Sequence, residues 1–514
     1  MDELKNALPA EGSAKPAQNP IRTPLRTYET TSRERVFLWL TAAFCVLLTD
    51  TFLWHGPTAG MTAAVFAWYA LVLSYVGTKP LALRSNRILL LFNLFLALTL
   101  ALGSSWYFRI WNCLALLALL PLHALALSGA GRLPWHRPMM LWERLCLLLW
   151  GLFGHLGAAF AALSSGKHRQ DGRRTAAWIL GLAAAAGLVA ILLPVLASAD
   201  ALFAAATADL RTFLQAHFSE ALWKLTVGLV LTPFFFGLLY FLRHPIPLKG
   251  EYKERTRSAE AVAFLLILSA LVLLYLLFLA VQSAGLFGGP EYLAKRNISY
   301  AQWARSGFFQ MVGVTVVNLT VVLAALTFSR QEGRSWKLVR SLSAVLVAES
   351  LVLLASAAWR MTLYVTAYGL SFKRCLTYWG MAMMALFFLA ALRKVRRPDF
   401  GFCRAAFPLA LAGWLVINCV PVDFLVAKNQ VDRYLVGESA TVSVHYLAYS
   451  LSYDTLSQLE RLDPNRPLSA YEGDWWGADD TLETLLAKRR DAAREECSDW
   501  HTWSLSACLA AMDE

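Results

Sequence analysis

Apolar residues come in runs of about twenty, separated by short polar segments rich in lysine and arginine. Some twenty helical residues, at about 1.5 Å of rise each, cross roughly 30 Å of hydrocarbon. In hydrocarbon every backbone N–H and C=O needs a partner within its own segment or in a closed barrel. The runs are rich in Leu and Ala and do not alternate strictly, so they predict spanning helices rather than barrel strands. Spans are expected at 36–54, 57–76, 88–103, 106–128, 174–196, 219–242, 259–285, 303–328, 340–362, 374–392 and 404–420, eleven in all.

The loops orient these helices. Lys79, Arg84 and Arg87 follow the second span. Arg243, Lys249, Lys253, Arg255 and Arg257 form a second group, Arg330, Arg334, Lys337 and Arg340 a third, and Arg393, Lys394, Arg396, Arg397 and Arg404 a fourth. All four fall on one side if the N-terminus is cytoplasmic, as the positive-inside rule requires. Residues 138–163 complicate the count, because basic loops flank both ends and Glu143 and Arg144 lie near the start. A true span there would invert every later loop, so the expectation is a helix lying in the interface or dipping in and returning.

The expected fold is therefore an all-α polytopic bundle in three parts: a disordered cytoplasmic leader over 1–33, a multi-span domain over 34–420 and a small acidic helical extracytoplasmic tail domain over 421–514. On the outer side, 197–218 has the period of an amphipathic helix, and 286–302 opens with a Gly-Gly-Pro turn. No cleavable signal peptide precedes the first run.

Composition agrees. The chain is 57 % hydrophobic and 16 % charged, whereas soluble domains are nearer one quarter charged. The net charge of +12 is not a nucleic-acid footprint: residues 421–514 carry a net −9, and the remaining +21 sits mostly in short loops. Cysteines 45, 113, 146, 375, 403 and 419 lie in or beside apolar runs, as small hydrophobes do. Cys497 and Cys508 lie in the tail; they pair if it faces an oxidising compartment, unless a helix holds the sulfurs apart, and the sequence leaves both open.

Common catalytic motifs are missing: no Walker A loop, no G-x-G-x-x-G after a strand, no H-E-x-x-H, no G-x-S-x-G and no C-x-x-C. No cofactor or metal is expected, and His123 and His155 read as helix-contact or interfacial residues. What remains are polar residues in costly places. Asp50 ends the first span. Glu349 lies in the ninth, and Arg360 eleven residues on shares its helix face, because eleven steps come within about 20° of three turns. Tyr364 and Tyr368 extend that stripe, and Asp200, Tyr300 and Arg305 sit on outer connections. These residues read either as one outward-facing polar cavity or, more blandly, as interfacial anchors and inter-helix hydrogen bonds. In the tail, Asp432 and Arg433 stand side by side where a helix start is expected, and Trp500 and Trp503 read first as anchors to the bilayer or to a partner.

Six segments in order carry a resemblance: LTDTFLWHGPTAG (48–60), SADALF (198–203), YAQWARSGFF (300–309), RMTLYVTAYGLSFKR (360–374), NQVDR (429–433) and DWHTWSLS (499–506). Together they resemble the bacterial polytopic membrane family catalogued as domain of unknown function 4173, close to its sibling 4153. The resemblance implies a bacterial cytoplasmic membrane and supplies no established activity. It marks Asp50, Asp200, Tyr300, Arg305, Gly307, Arg360, Tyr364, Tyr368, Gly369, Asp432, Arg433, Trp500 and Trp503 as motif positions.

Three functional classes stay open. First comes a non-enzymatic envelope sensor or scaffold whose outward polar cavity and tail engage a ligand, membrane lipids or an envelope protein partner. A transporter or lipid flippase is second, supported by the span count and Glu349 but lacking paired broken helices. An enzyme using a lipid-linked substrate is third, since only a short connection follows Asp50. The sequence leaves the oligomeric state open.

Overall fold

The computed structural model describes residues 28, 31–131, 133, 139–163, 220–245, 260–287, 308–472 and 481–512, with scattered positions between 181 and 212. The leader up to residue 27, most of the expected span 174–196 and amphipathic segment 197–218, the connection 288–302, and Tyr300, Arg305 and Gly307 lie outside the described residues.

The fold is all-α, and the described residues contain no strand. The helices are α1 Ser32–Leu48, α2 Ala59–Val76, α3 Arg84–Leu102, α4 Trp106–Ser128, α5 Met139–Gly154, α6 Leu156–Leu163, α7 Glu220–Arg243, α8 Ala261–Phe287, α9 Phe308–Phe328, α10 Gly333–Tyr368, α11 Phe372–Arg396 and α12 Phe402–Cys419. The tail adds α13 Val422–Leu435, α14 Leu482–Ser498 and α15 Leu505–Met512. Ten segments among the described residues are long and apolar enough to cross a membrane, and Gly313–Phe328 is a shorter apolar helix. The expectation was eleven. The difference lies at 139–163, now among the ten, at 303–328, present only as the shorter helix Gly313–Phe328, and at 174–196, outside continuous description.

Residues 139–163 satisfy that length only as two helices meeting at His155. The Arg144 guanidinium reaches the Leu125 carbonyl near the end of α4, and Gly157 lies against Tyr28, just ahead of α1. Between them, Leu148 and Leu152 reach an apolar cavity with Trp68, Leu117 and Phe235.

Local chemistry explains the elements. Thr31 and Glu34 close a capping box at the start of α1. Polar side chains lock helices where lipid offers no alternative: Thr62 donates to the Ala97 carbonyl (2.6 Å), Asn93 to the Tyr69 hydroxyl (2.7 Å), and Tyr69 meets His123 Nδ1 at 2.8 Å, tying α2, α3 and α4 together. His123 is thus a helix contact. One apolar core joins α1 to α7, another joins α8 to α11, and a third fills the tail.

The bundle has two distinct ends. Arg33 on α1 and Arg243 on α7 both donate to the Tyr75 carbonyl at the end of α2, and Arg340 near the start of α10 donates to Val395 and Arg396 at the end of α11. The tail sits at the opposite end, against the close of α1, α3 and α10 and the start of α4.

Candidate functional site

The site is assembled where the first motif of the chain meets the last. After α1 the chain continues as a wide π-helical turn over Thr49–Trp54, a form that recurs at functional sites. That turn presents Asp50 toward the tail. One carboxylate oxygen accepts from His501 Nε2 at 2.9 Å and the other from Lys224 Nζ at 2.6 Å. Lys224 also holds Glu220 at 2.5 Å, one turn earlier on α7, and lies over the Trp54 ring.

His501 is fixed from every side. Its Nδ1 meets Asp499 at 2.8 Å, its carbonyl accepts from Gly60 N–H at 2.8 Å, and its ring stacks on His55 at 3.8 Å. Gly60 permits this approach, because a Cβ there would meet Thr51 at 3.1 Å and the His501 carbonyl at 3.5 Å. Both ring nitrogens face carboxylates, which when ionised only accept, an arrangement that favours the doubly protonated imidazolium. Burial opposes that charge, but the hydrogen bonds to Asp50 and Asp499 outweigh it and hold His501 above its usual range. The His501 backbone and ring N–H groups hold Asp499 below the usual carboxylate range. The side chains of His501 and Asp50 are 15 % and 23 % exposed.

Asp50, His55 and His501 place ligand atoms within 4.8 Å of one another, a geometry that could hold a metal ion. The chemistry fits poorly. The stacked rings are tilted by only 16°, so their lone pairs lie in two nearly parallel planes instead of converging on one ion. A metal would also have to displace Lys224 and a proton of His501. Nor is Asp50 free to act as a base, because both of its oxygens are engaged by cations. The arrangement is suited to holding the tail onto the bundle.

Further polar contacts repeat that pattern. Arg109 at the start of α4 pairs with Glu496 at 2.7 Å, and Ser104 meets both the Ser506 hydroxyl (3.0 Å) and the Tyr453 N–H (3.1 Å). Asn112 donates to Asn418 at 2.6 Å, joining α4 to the end of α12. At the end of α10, Gly369 takes a left-handed φ of 73°, which only glycine adopts cheaply. Asn429 accepts from Leu370 N–H (2.7 Å), Gln430 donates to its carbonyl (2.8 Å), and Arg433 donates to the Thr366 and Ala367 carbonyls at 2.6 and 3.1 Å. A guanidinium on the last carbonyls of a helix satisfies orphan acceptors and complements the helix dipole. Cys497 and Cys508 are joined in a disulfide between α14 and α15, with 5.3 Å between Cα atoms.

The expected residues thus fall into separate places. Asp432 and Arg433 stand at the end of α13, not at a helix start, and do not pair: Asp432 meets Arg461 at 2.6 Å. Asp200 is exposed and accepts from Phe203 N–H. Tyr364 and Tyr368 pack on each other near Arg374. Trp500 is exposed beside His501, whereas Trp503 is half-buried. Glu349 and Arg360 are both buried, but Glu349 lies in the α8–α11 group, near Tyr275, while Asp50 belongs to the latch. His501, Asp499, Lys224, Arg109 and Glu496 were not singled out from sequence. Only the DWHTWSLS segment pointed toward two of them.

Fold and site define a multi-pass all-α membrane protein whose C-terminal segment is docked on one end of its bundle. The profile of the family described as a domain of unknown function (DUF4153) matches residues 88–462, well over half of the chain. The chain belongs to that family, the sibling of the one to which the motifs were referred. Lys224 and Arg109 lie inside the matched segment; Asp50, His55, Glu496 and His501 lie outside it. No curated protein and no solved structure matches the chain.

Proposed function

We propose that this protein is a non-enzymatic sensor or scaffold of the bacterial cytoplasmic membrane. Its N-terminus is cytoplasmic, and residues 421–514 form an extracytoplasmic domain latched onto the outer end of the bundle. The single observation that carries the reading is the bridge from Asp50 at the close of the first span to His501 in the tail. Such a bridge couples the tail to helix positions, and a protein that reports on the envelope needs that coupling. Two features support the orientation. Lys and Arg collect at the end away from the tail, and the tail disulfide suits an oxidising compartment. Membrane lipids and an envelope protein engaging the tail beside the exposed Trp500 are the proposed partners.

The reading is tested in two ways. A phosphatase reporter fused after Glu514 should be active, whereas cytosolic behaviour overturns the orientation. In a strain lacking the protein, the wild-type chain should restore envelope integrity. A latch-broken Asp50→Asn, His501→Gln chain at equal abundance should not, and full rescue by it would remove the scaffold reading.

A further inference from the structure

The second helix group holds a carboxylate that no described contact explains. Glu349 stands in the middle of α10, within a 36-residue helix, and is 5 % exposed, so it faces neither lipid nor solvent but the helix interior. Neither carboxylate oxygen has a hydrogen-bond partner among the described residues. Arg360 lies on the same helix face but about 16 Å away along the axis, too far to pair. A bare carboxylate at this depth is among the costliest groups a span can carry, and the usual resolution is loss of its charge.

The surroundings say how. Across from Glu349, Asn318 on α9 is fully buried, its amide donating to Ser350 Oγ at 2.9 Å, while its own Oδ1 is also unpartnered. The Ser350 hydroxyl is already spent on the Leu346 carbonyl at 2.7 Å. Tyr275 on α8 engages Asn318 and lies within electrostatic reach of Glu349. The unpartnered atoms of Glu349 and Asn318 are thus all acceptors, contributed by two helices, with a phenol from a third beside them. A site with surplus acceptors and a negative charge calls for a positive guest. Among the described residues, Tyr275 is the titratable group that faces Glu349. Residues 313–328 of α9 contain no titratable residue, and the charges of α11 lie in its terminal turns.

We propose that Glu349, with Asn318 and Tyr275, is an intramembrane site for a monovalent cation, either a proton or an alkali-metal ion. It is separate from the latch and does not rest on the sensor reading. Occupancy removes the buried charge; release leaves it, so the packing of α8, α9 and α10 responds to whichever cation binds.

Dicyclohexylcarbodiimide, which attacks protonated carboxyls in apolar surroundings, tests this on the full-length protein in nanodiscs free of sodium and potassium. Mass spectrometry should find Glu349 modified near neutral pH, where an ordinary glutamate is ionised, with labelling falling about tenfold per pH unit above its midpoint. Protection by added sodium or potassium chloride identifies a metal site, and labelling indifferent to both identifies a proton site. The melting temperature of the wild type should shift with pH or with the protecting salt, and Glu349→Gln should abolish that shift. Glu349 unlabelled from about pH 5 to about pH 9, with wild-type and Glu349→Gln chains responding identically to pH and salt, overturns the proposal.

Discussion

Cutting the bridge between Asp50 and His501 should release the tail by a measurable amount. His501→Gln keeps the backbone bond to Gly60 but removes the charged contacts at 2.9 Å to Asp50 and 2.8 Å to Asp499. Two unit charges at about 3 Å attract by roughly 5 kcal/mol at an effective dielectric near 20, but desolvation offsets most of this. Hydrogen bonds to charged groups measure about 1.5–3 kcal/mol. With the two side chains 15 % and 23 % exposed, a coupling of about 1–2 kcal/mol follows, or roughly a five- to thirtyfold rise in the undocked tail population. Asp50→Asn should be worse than His501→Gln, because it also strips Lys224 of one of its two carboxylates. The assay is equilibrium proteolysis of the tail in nanodiscs, which reports the open population when reclosing outpaces cleavage. A double-mutant cycle isolates the pair. Strictly additive single variants, with coupling below about 0.3 kcal/mol, would refute the latch.

Two further outcomes follow from the same geometry. Because the pKa of His501 is raised in the folded chain above its reference value of 6.5, its contribution is fully present below that value and is lost as pH rises through the folded pKa; Asp499, depressed from 3.8, loses its contribution as pH falls through its folded pKa. Tail protection should therefore be greatest in the weakly acidic range and decline on the alkaline side, and a flat profile from about pH 5 to about pH 9 contradicts the imidazolium. Reducing Cys497–Cys508, which closes a loop of sequence separation 11, should weaken docking by up to about 3 kcal/mol on the chain-entropy estimate. Thiol titration of the unfolded, unreduced protein should find the other cysteines and not these two.

How far the sequence reached depended on the range of each interaction. The spans were legible because length and apolarity are local properties, and α10 carries Glu349 and Arg360 buried on one face as an eleven-residue separation implies. Residues 139–163 stayed ambiguous because two short apolar helices and one span have the same composition; the break at His155, packed against Tyr28 and Tyr240, depends on residues distant in sequence. The latch was hidden by distance. Asp50 and His501 are 451 positions apart, Lys224 in the first turns of an apolar helix reads as a snorkelling cation, and Glu496 looks like any acid in an acidic tail. The motifs NQVDR and DWHTWSLS marked the right segments but not their partners, since Asn429, Gln430 and Arg433 serve the end of a helix 59 to 67 residues away.

The two ends of the bundle connect these observations. Arg33, Arg243 and Arg340 lie at one end, donating to helix-terminal carbonyls of α2 and α11, while Arg109, Lys224 and Arg433 lie at the other, bound to carboxylates or carbonyls. The positive-inside rule counts only the first kind well. Arg109 and Lys224 are far outnumbered by the Lys and Arg of the loops at the first end, and for that reason they do not disturb the orientation inferred from the loops. Neutralising them has different expected effects: loss of Arg109 or Lys224 should loosen the tail without altering topology, whereas loss of the loop arginines should alter topology and leave the Asp50–His501 pair itself untouched. Reporter fusions after Glu514 in the two classes of variant separate these effects, and a change of sidedness in Lys224→Ala alone would show that the far-end cations are topological signals and not latch components.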